Sequence, residues 1–98
     1  MEQHFEMLFK LFEDYGLIPQ VNKLKEELKE LDVALENIKR TPSLAKEHAR
    51  ELTSELADVL IMVYQIIVGL GMETVVDAMV EYKILRTVYE KRFEDGTT

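Results

Sequence analysis

The sequence predicts an all-α protein, a four-helix up-and-down bundle, and three observations predict it. Apolar residues recur at helical spacing in four separate segments. Four glycines and two prolines in 98 residues are too few for the turns of a sheet protein. The segments are joined by short connections, which make consecutive helices antiparallel neighbours. A chain of 98 residues is one small domain, 1–98, and so small a domain buries little surface, so oligomerisation is expected to complete it.

The first helix is expected over residues 2–15, where Phe5, Leu8, Phe9 and Phe12 form a stripe. Gly16 stops it, and Pro19 falls in a short connection. The second helix, 20–39, carries Val21, Leu24, Leu28, Leu31, Leu35 and Ile38 at alternating spacings of three and four. Thr41-Pro42 reads as an N-cap followed by proline at the first helical position. The third helix, 42–68, presents Leu52, Leu56, Val59, Val63, Ile66 and Ile67 on one face. Gly69 and Gly71 bracket a tight connection, the fourth helix covers 73–93, and residues 94–98 form a polar tail.

Composition removes several function classes. Hydrophobic residues at 47% and charged residues at 32% belong to a globular chain, not a disordered one. A net charge of −7 argues against a nucleic-acid partner held by phosphate neutralisation, but allows a phosphorylated ligand bridged by a divalent cation. With no cysteine, thiolate chemistry and zinc–thiolate sites are excluded. Glu2 follows Met1 directly, unlike a signal peptide, and the most apolar stretch, Val59 to Leu70, is too short to span a bilayer. A cytoplasmic protein with no membrane partner is expected.

The second and third helices share an acidic pattern, Glu26-Glu27-Leu28-Lys29-Glu30 and Glu55-Leu56-Ala57-Asp58. On a helical wheel Glu27 lies roughly 70° and Glu30 roughly 130° from the centre of the leucine stripe. Glu55 and Asp58 stand off their own stripe by roughly the same angles, to the same side. Both pairs are thus expected to border the core without entering it. An isolated Glu-x-x-Glu is commonly a solvated face, the reading taken for Glu26, Glu36, Glu47 and Glu90. Two pairs on matched flanks also fit a site for a hard divalent cation, which relieves their mutual repulsion.

Glu-Glu-x-x-Glu followed at this distance by Glu-x-x-Asp resembles the motif of the MazG-like all-α nucleoside triphosphate pyrophosphatases, a superfamily that includes dimeric dUTPases and HisE-type enzymes. The setting Glu51-Leu52-Thr53-Ser54-Glu55-Leu56-Ala57-Asp58-Val59-Leu60 is similar to that family's third helix, and the likeness covers about Leu24 to Phe93. The resemblance implies that Glu27, Glu30, Glu55 and Asp58 hold Mg²⁺, or Mn²⁺ in its place. It implies hydrolysis of a nucleoside triphosphate to the monophosphate and pyrophosphate, and a homo-oligomer, dimer or tetramer. Glu27 or Glu30 would orient or deprotonate the attacking water. Phosphoribosyl-ATP or a deoxyuridine nucleotide is the alternative substrate, and a non-catalytic helical interaction module the alternative of another class.

In the fourth helix Val75, Met79, Tyr82, Tyr89 and Phe93 share a face, with Arg86 near its centre and Lys83 a turn away. Arg86 among apolar neighbours calls for an anion, a substrate phosphate or one of the acids, or else snorkels or makes a structural ion pair. Lys83 and Arg86 are the candidate substrate-binding residues. They stand three apart with no asparagine nearby, whereas the family often carries lysine and then asparagine four residues on. A second row, Val76, Val80, Ile84 and Val88, implies a helix covered on two sides, hence a partner subunit. Phe5, Phe12 and Tyr15 fit either core packing or stacking on a base. His4 and His48 read as surface residues, and the methionines as gap-fillers.

Overall fold

The computed structural model describes residues 4–94, with side-chain surroundings through residue 92. It is all-α: α1 (Phe5–Tyr15), α2 (Leu17–Arg40), a 3₁₀ turn (Pro42–Leu44), α3 (Ala45–Gly69) and α4 (Glu73–Glu94). The expected start of the first helix at residue 2, the polar tail beyond Glu94 and the side chain of Phe93 lie outside the described residues.

Gly16 alone separates α1 from α2, at φ 82°, a backbone region that glycine enters without steric cost. Pro19 therefore lies inside the first turn of α2 and not in a connection, contrary to expectation. Proline is tolerated there because first-turn N–H groups have no partner within the helix. Thr41 holds the expected N-cap position with Pro42 next, although of the 3₁₀ turn that leads into α3, and its side chain does not cap. Its carbonyl accepts from Leu44 N–H at 3.0 Å, but its hydroxyl donates to Asn37 O at 2.9 Å and lies 2.7 Å from His48 Nε2. The side chain thus closes the end of α2 and leaves the start of the next helix uncapped. At the far end of α3, Met72 N–H bonds Ile67 O at 2.9 Å and Gly71 N–H bonds Val68 O at 3.1 Å. This paired closure, with Gly71 at φ 65°, ends the helix sharply.

α2 and α3 form an antiparallel hairpin, and α1 packs chiefly on α3. Phe12 lies against Gly69 so closely that any side chain there would overlap its ring. α4 touches α3 but neither α1 nor α2, and apart from Glu73 and Val76 its described side chains are exposed. The helices of the chain are those expected, while α4 lies outside the three that pack together.

Packing leaves much apolar surface uncovered. Among the described residues only Leu8, Ala34, Met62 and Val68 are buried hydrophobics. The chain exposes 7907 Å², where a folded monomer of its mass exposes about 5,800 Å². Its radius of gyration is 17.0 Å, against about 13 Å for a compact chain of this length. Residues 42–69 are also long and apolar enough by composition to cross a membrane, with mean hydropathy 1.5 over the most apolar eighteen residues, whereas the shorter stretch read from the sequence was not. Any eighteen-residue window in that segment contains both Glu55 and Asp58.

Candidate metal centre

The two acidic pairs meet across the hairpin. Glu27 and Asp58 are equally far along the chain from the Pro42–Ser43 bond, and so are Glu30 and Glu55. A helical hairpin closed at that bond sets each pair side by side. Carboxylate oxygens from Glu27, Glu30, Glu55 and Asp58 all lie within 4.8 Å of one another.

Glu30, Glu55 and Asp58 border the core, as the wheel suggested, but Glu27 enters it. Glu27 is only 6% exposed, while Leu28 and Leu35 of the expected core stripe are 46% and 48% exposed. The buried line of α2 is Gln20, Glu27 and Ala34, and that of α3 is Met62, Gln65 and Val68. Glu55 and Asp58 are half-buried and Glu30 is exposed. Leu28, Leu35 and Leu56 of the expected stripes face outward, while Val21, Leu24, Leu31 and Ile38 of α2 and the rest of the α3 stripe are half-buried beside the line of Glu27.

A buried carboxylate is costly unless it is paired or ligates a cation. Glu27 Oε1 accepts from Lys23 Nζ at 3.2 Å, and the same ammonium lies 3.7 Å from Glu26 Oε2. Glu27 Oε2 and Glu55 Oε2 are buried with no hydrogen-bond partner. The negative charge of Glu27 raises the proton affinity of Glu30 above the ordinary carboxylate range. A hydrogen bond shared with Glu27, some desolvation and the nearby Glu55 add to the effect. Lys23 is held protonated above the ordinary lysine range, first by its hydrogen bond to Glu27 and then by the charges of Glu27 and Glu26.

The donor set suits a hard divalent cation. It is all oxygen, two of its oxygens are orphaned, and its 4.8 Å spread is comparable with the roughly 4 Å between opposite oxygens of an octahedral Mg²⁺ shell. Softer ions that select sulfur or imidazole have no ligand here.

Lys83 and Arg86 stand on α4, which makes no contact with α2, the helix of Glu27 and Glu30, and both side chains are exposed. Arg86 Nε lies 3.9 Å from Glu90 Oε1 on the same exposed face, with its guanidinium 5.8 Å from the centre of the Tyr82 ring. Of the aromatic candidates, Phe5 stacks on Phe9 at 6.5 Å and Phe12 packs on Gly69. Tyr15 alone of the three lines a cavity of about 410 Å³, beside Pro19, Gln20, Lys23, Met62 and Gln65.

Sequence reading missed Lys23, Gln20 and Gln65. A signal for them existed: Lys23 and Met62, and Gln20 and Gln65, also stand equally far from the Pro42–Ser43 bond. The acidic cluster and the cavity are consecutive rungs of one ladder across α2 and α3. Comparison with protein-family models, curated proteins and solved structures returned no match.

Proposed function

We propose that the chain is a Mg²⁺-dependent nucleoside triphosphate pyrophosphohydrolase of the MazG-like kind, releasing the nucleoside monophosphate and pyrophosphate. The observation that carries the reading is the convergence of four carboxylates on one hairpin, two of them with buried, unpartnered oxygens. Glu27, Glu30, Glu55 and Asp58 would hold the ion, with Mn²⁺ as a substitute. Bound there, the ion would neutralise phosphate charge and lower the pKa of a water.

The chain's own residues divide the remaining work. Glu27, buried and hydrogen-bonded to Lys23, is a fixed ligand. Glu30 faces solvent and can meet an incoming water, so it is the better placed of the two to take the proton. Lys23 supplies positive charge at the edge of the cluster, where phosphate oxygens would enter.

The active form in this reading is a homo-oligomer. The excess exposed surface is about 2,100 Å² over the expectation for a monomer, which is on the scale of an obligate subunit interface. It includes Val80, Ile84 and Val88 on α4 and the outward leucines of α2. A second copy would also be the means of bringing Lys83 and Arg86 near a cluster. Screening nucleoside triphosphates for pyrophosphate release, with and without Mg²⁺, tests the activity. The reading predicts metal-dependent release from at least one nucleotide, and no release from any would end it.

A further inference from the structure

We propose that the cavity beside the acidic cluster is a nucleobase pocket, and that the side-chain amides of Gln20 and Gln65 read the hydrogen-bonding edge of the base. The inference rests on the preceding reading, in which the cluster takes the phosphates. It adds the element that would distinguish a nucleotide from inorganic polyphosphate.

Two buried amides in one cavity lining are the starting observation. Gln20 is 3% exposed and Gln65 6%. Gln20 Nε2 donates to Leu11 O at 3.2 Å. Because a carbonyl can only accept, that bond fixes the orientation of the amide and leaves Oε1 as the free group. Gln20 Oε1 is buried with no partner. Gln65 lines the same cavity, and its amide is not among the buried unpartnered groups, so it is Gln20 Oε1 that lacks a partner while the Gln65 amide is open to an occupant. Buried polar groups are nearly always satisfied, and those that are not call for a ligand or water.

The missing partner can be described chemically. Gln20 Oε1 asks for a donor, and Gln65 can supply a donor, an acceptor or both. A neighbouring donor and acceptor on one flat edge is the pattern of a nucleobase. Tyr15 and Pro19 provide flat apolar surface for its face. The cavity, about 410 Å³, falls in the range of small-molecule sites.

Position supports the same occupant. Along α2 the order is Gln20, Lys23, Glu27, Glu30, and along α3 it is Gln65, Met62, Asp58, Glu55. Amides and acids are therefore separated by two helical turns on both helices, about 10 Å at 1.5 Å per residue. Lys23 belongs both to the cavity lining and, through Glu27, to the cluster. A ligand with a base at one end and phosphates at the other would lie along this ladder and pass Lys23 between.

The test uses ¹⁵N-labelled full-length protein without metal, titrated with adenosine, guanosine, cytidine and uridine. The expected result is displacement of the Gln20 and Gln65 side-chain amide signals by at least one nucleoside. Gln65→Leu should weaken that binding by about three- to ten-fold, the size of one or two neutral hydrogen bonds. Tyr15→Ala, at an exposed side chain, should weaken it several-fold and serves if Gln65→Leu does not fold. No displacement by any of the four, or unchanged affinity in the folded variant, overturns the pocket. Mg²⁺ titrated alone reads the cluster separately. Displaced amides with no Mg²⁺ response would uphold the pocket and overturn the metal reading, and a Mg²⁺ response with silent amides would do the reverse.

Discussion

Lys23 Nζ sits 3.2 Å from Glu27 Oε1, so the most buried acid of the cluster is held by an ammonium from one turn earlier in the same helix. The contact is a counter-charge that a metal ion would have to share or replace. Lys23→Met should lower the thermal midpoint of the metal-free protein, because Glu27 then stays buried with no cation. The same variant should gain more degrees from Mg²⁺ than the wild type does, since the ion no longer competes with the ammonium. Differential scanning fluorimetry with and without Mg²⁺ measures both. An unchanged metal-free midpoint would show that the pair carries no weight.

Replacing Glu55 with Gln removes one ligand and one repelling charge while keeping the shape. Mg²⁺-dependent pyrophosphate release should fall by more than about 100-fold, beyond the 10–100-fold typical of disturbing a ligand's outer partner. Stabilisation by Mg²⁺ should disappear, since only a ligand bound to the folded state raises its stability. The helical circular dichroism should persist, and metal-free stability should not decrease. Activity within a few-fold of wild type would remove Glu55 from the site.

The cluster also sets a pH dependence with a definite sign. Glu30 holds its proton more tightly folded than unfolded, chiefly because of the Glu27 charge. Its contribution to stability is therefore fully present below the unfolded carboxylate pKa, and is lost as pH rises through the higher folded value. Lys23 adds a second loss far above neutrality, as pH passes its own raised value. Glu30→Gln should flatten the first of these slopes in metal-free urea titrations across the acid range. An equally steep slope in that variant would assign the effect to another carboxylate.

Much of this arrangement was legible in the sequence, and the part that was not has a physical cause. Gly16, Thr41-Pro42 and Gly71 interrupt helical periodicity, so the helix limits came out within a few residues of those observed. The acids were legible because two pairs shared a spacing and an angular offset. The buried face of α2 was misread in part: Val21, Leu24, Leu31 and Ile38 of the apolar row are half-buried, but the fully buried line is Gln20, Glu27 and Ala34, and Leu28 and Leu35 are left exposed. A wheel ranks faces by hydrophobicity and cannot tell which of two faces the same chain covers. Gln20 and Gln65 escaped notice because uncharged amides give no signal until the hairpin register pairs them.

Gly69 and Phe12 make a sharper test of packing. A methyl at Gly69 would overlap the Phe12 ring, which should cost about 1–3 kcal/mol as overpacking. Alanine in place of a helical glycine returns up to about 1 kcal/mol of propensity. Gly69→Ala should therefore destabilise the protein in urea unfolding. Phe12→Ala should destabilise it too, through a cavity, and the double variant should lose less than the two separate effects together. Simple additivity would show that the ring moves aside freely.

The last prediction concerns α4. Val80, Ile84 and Val88 are 50%, 57% and 52% exposed, and a helix apolar on its outer rows is stable in water when another surface covers it. Val80→Glu or Ile84→Glu should move the mass measured by light scattering toward the monomer, while a wild type already monomeric at micromolar concentration would refute self-association outright. Arg86 then separates two consequences of assembly. Its exposed pair with Glu90 is of a kind worth about 0–1 kcal/mol, so Arg86→Ala should leave unfolding nearly unchanged. If assembly carries Arg86 to a neighbour's phosphates, the same variant should lower kcat/KM by roughly ten- to a hundred-fold, the loss of a charge-assisted bond worth about 1.5–3 kcal/mol. Arg86→Lys should recover only part of that, because the ammonium keeps the charge but loses the bidentate fork. Mixing Arg86→Ala with Glu55→Gln subunits supplies the decisive readout. A site built across two copies regains activity in the mixed oligomer, since one of its sites is then intact in every part. A site built within one chain regains none, and that result would overturn the shared site; an Arg86→Ala variant that never loses activity would mark Arg86 as a surface residue.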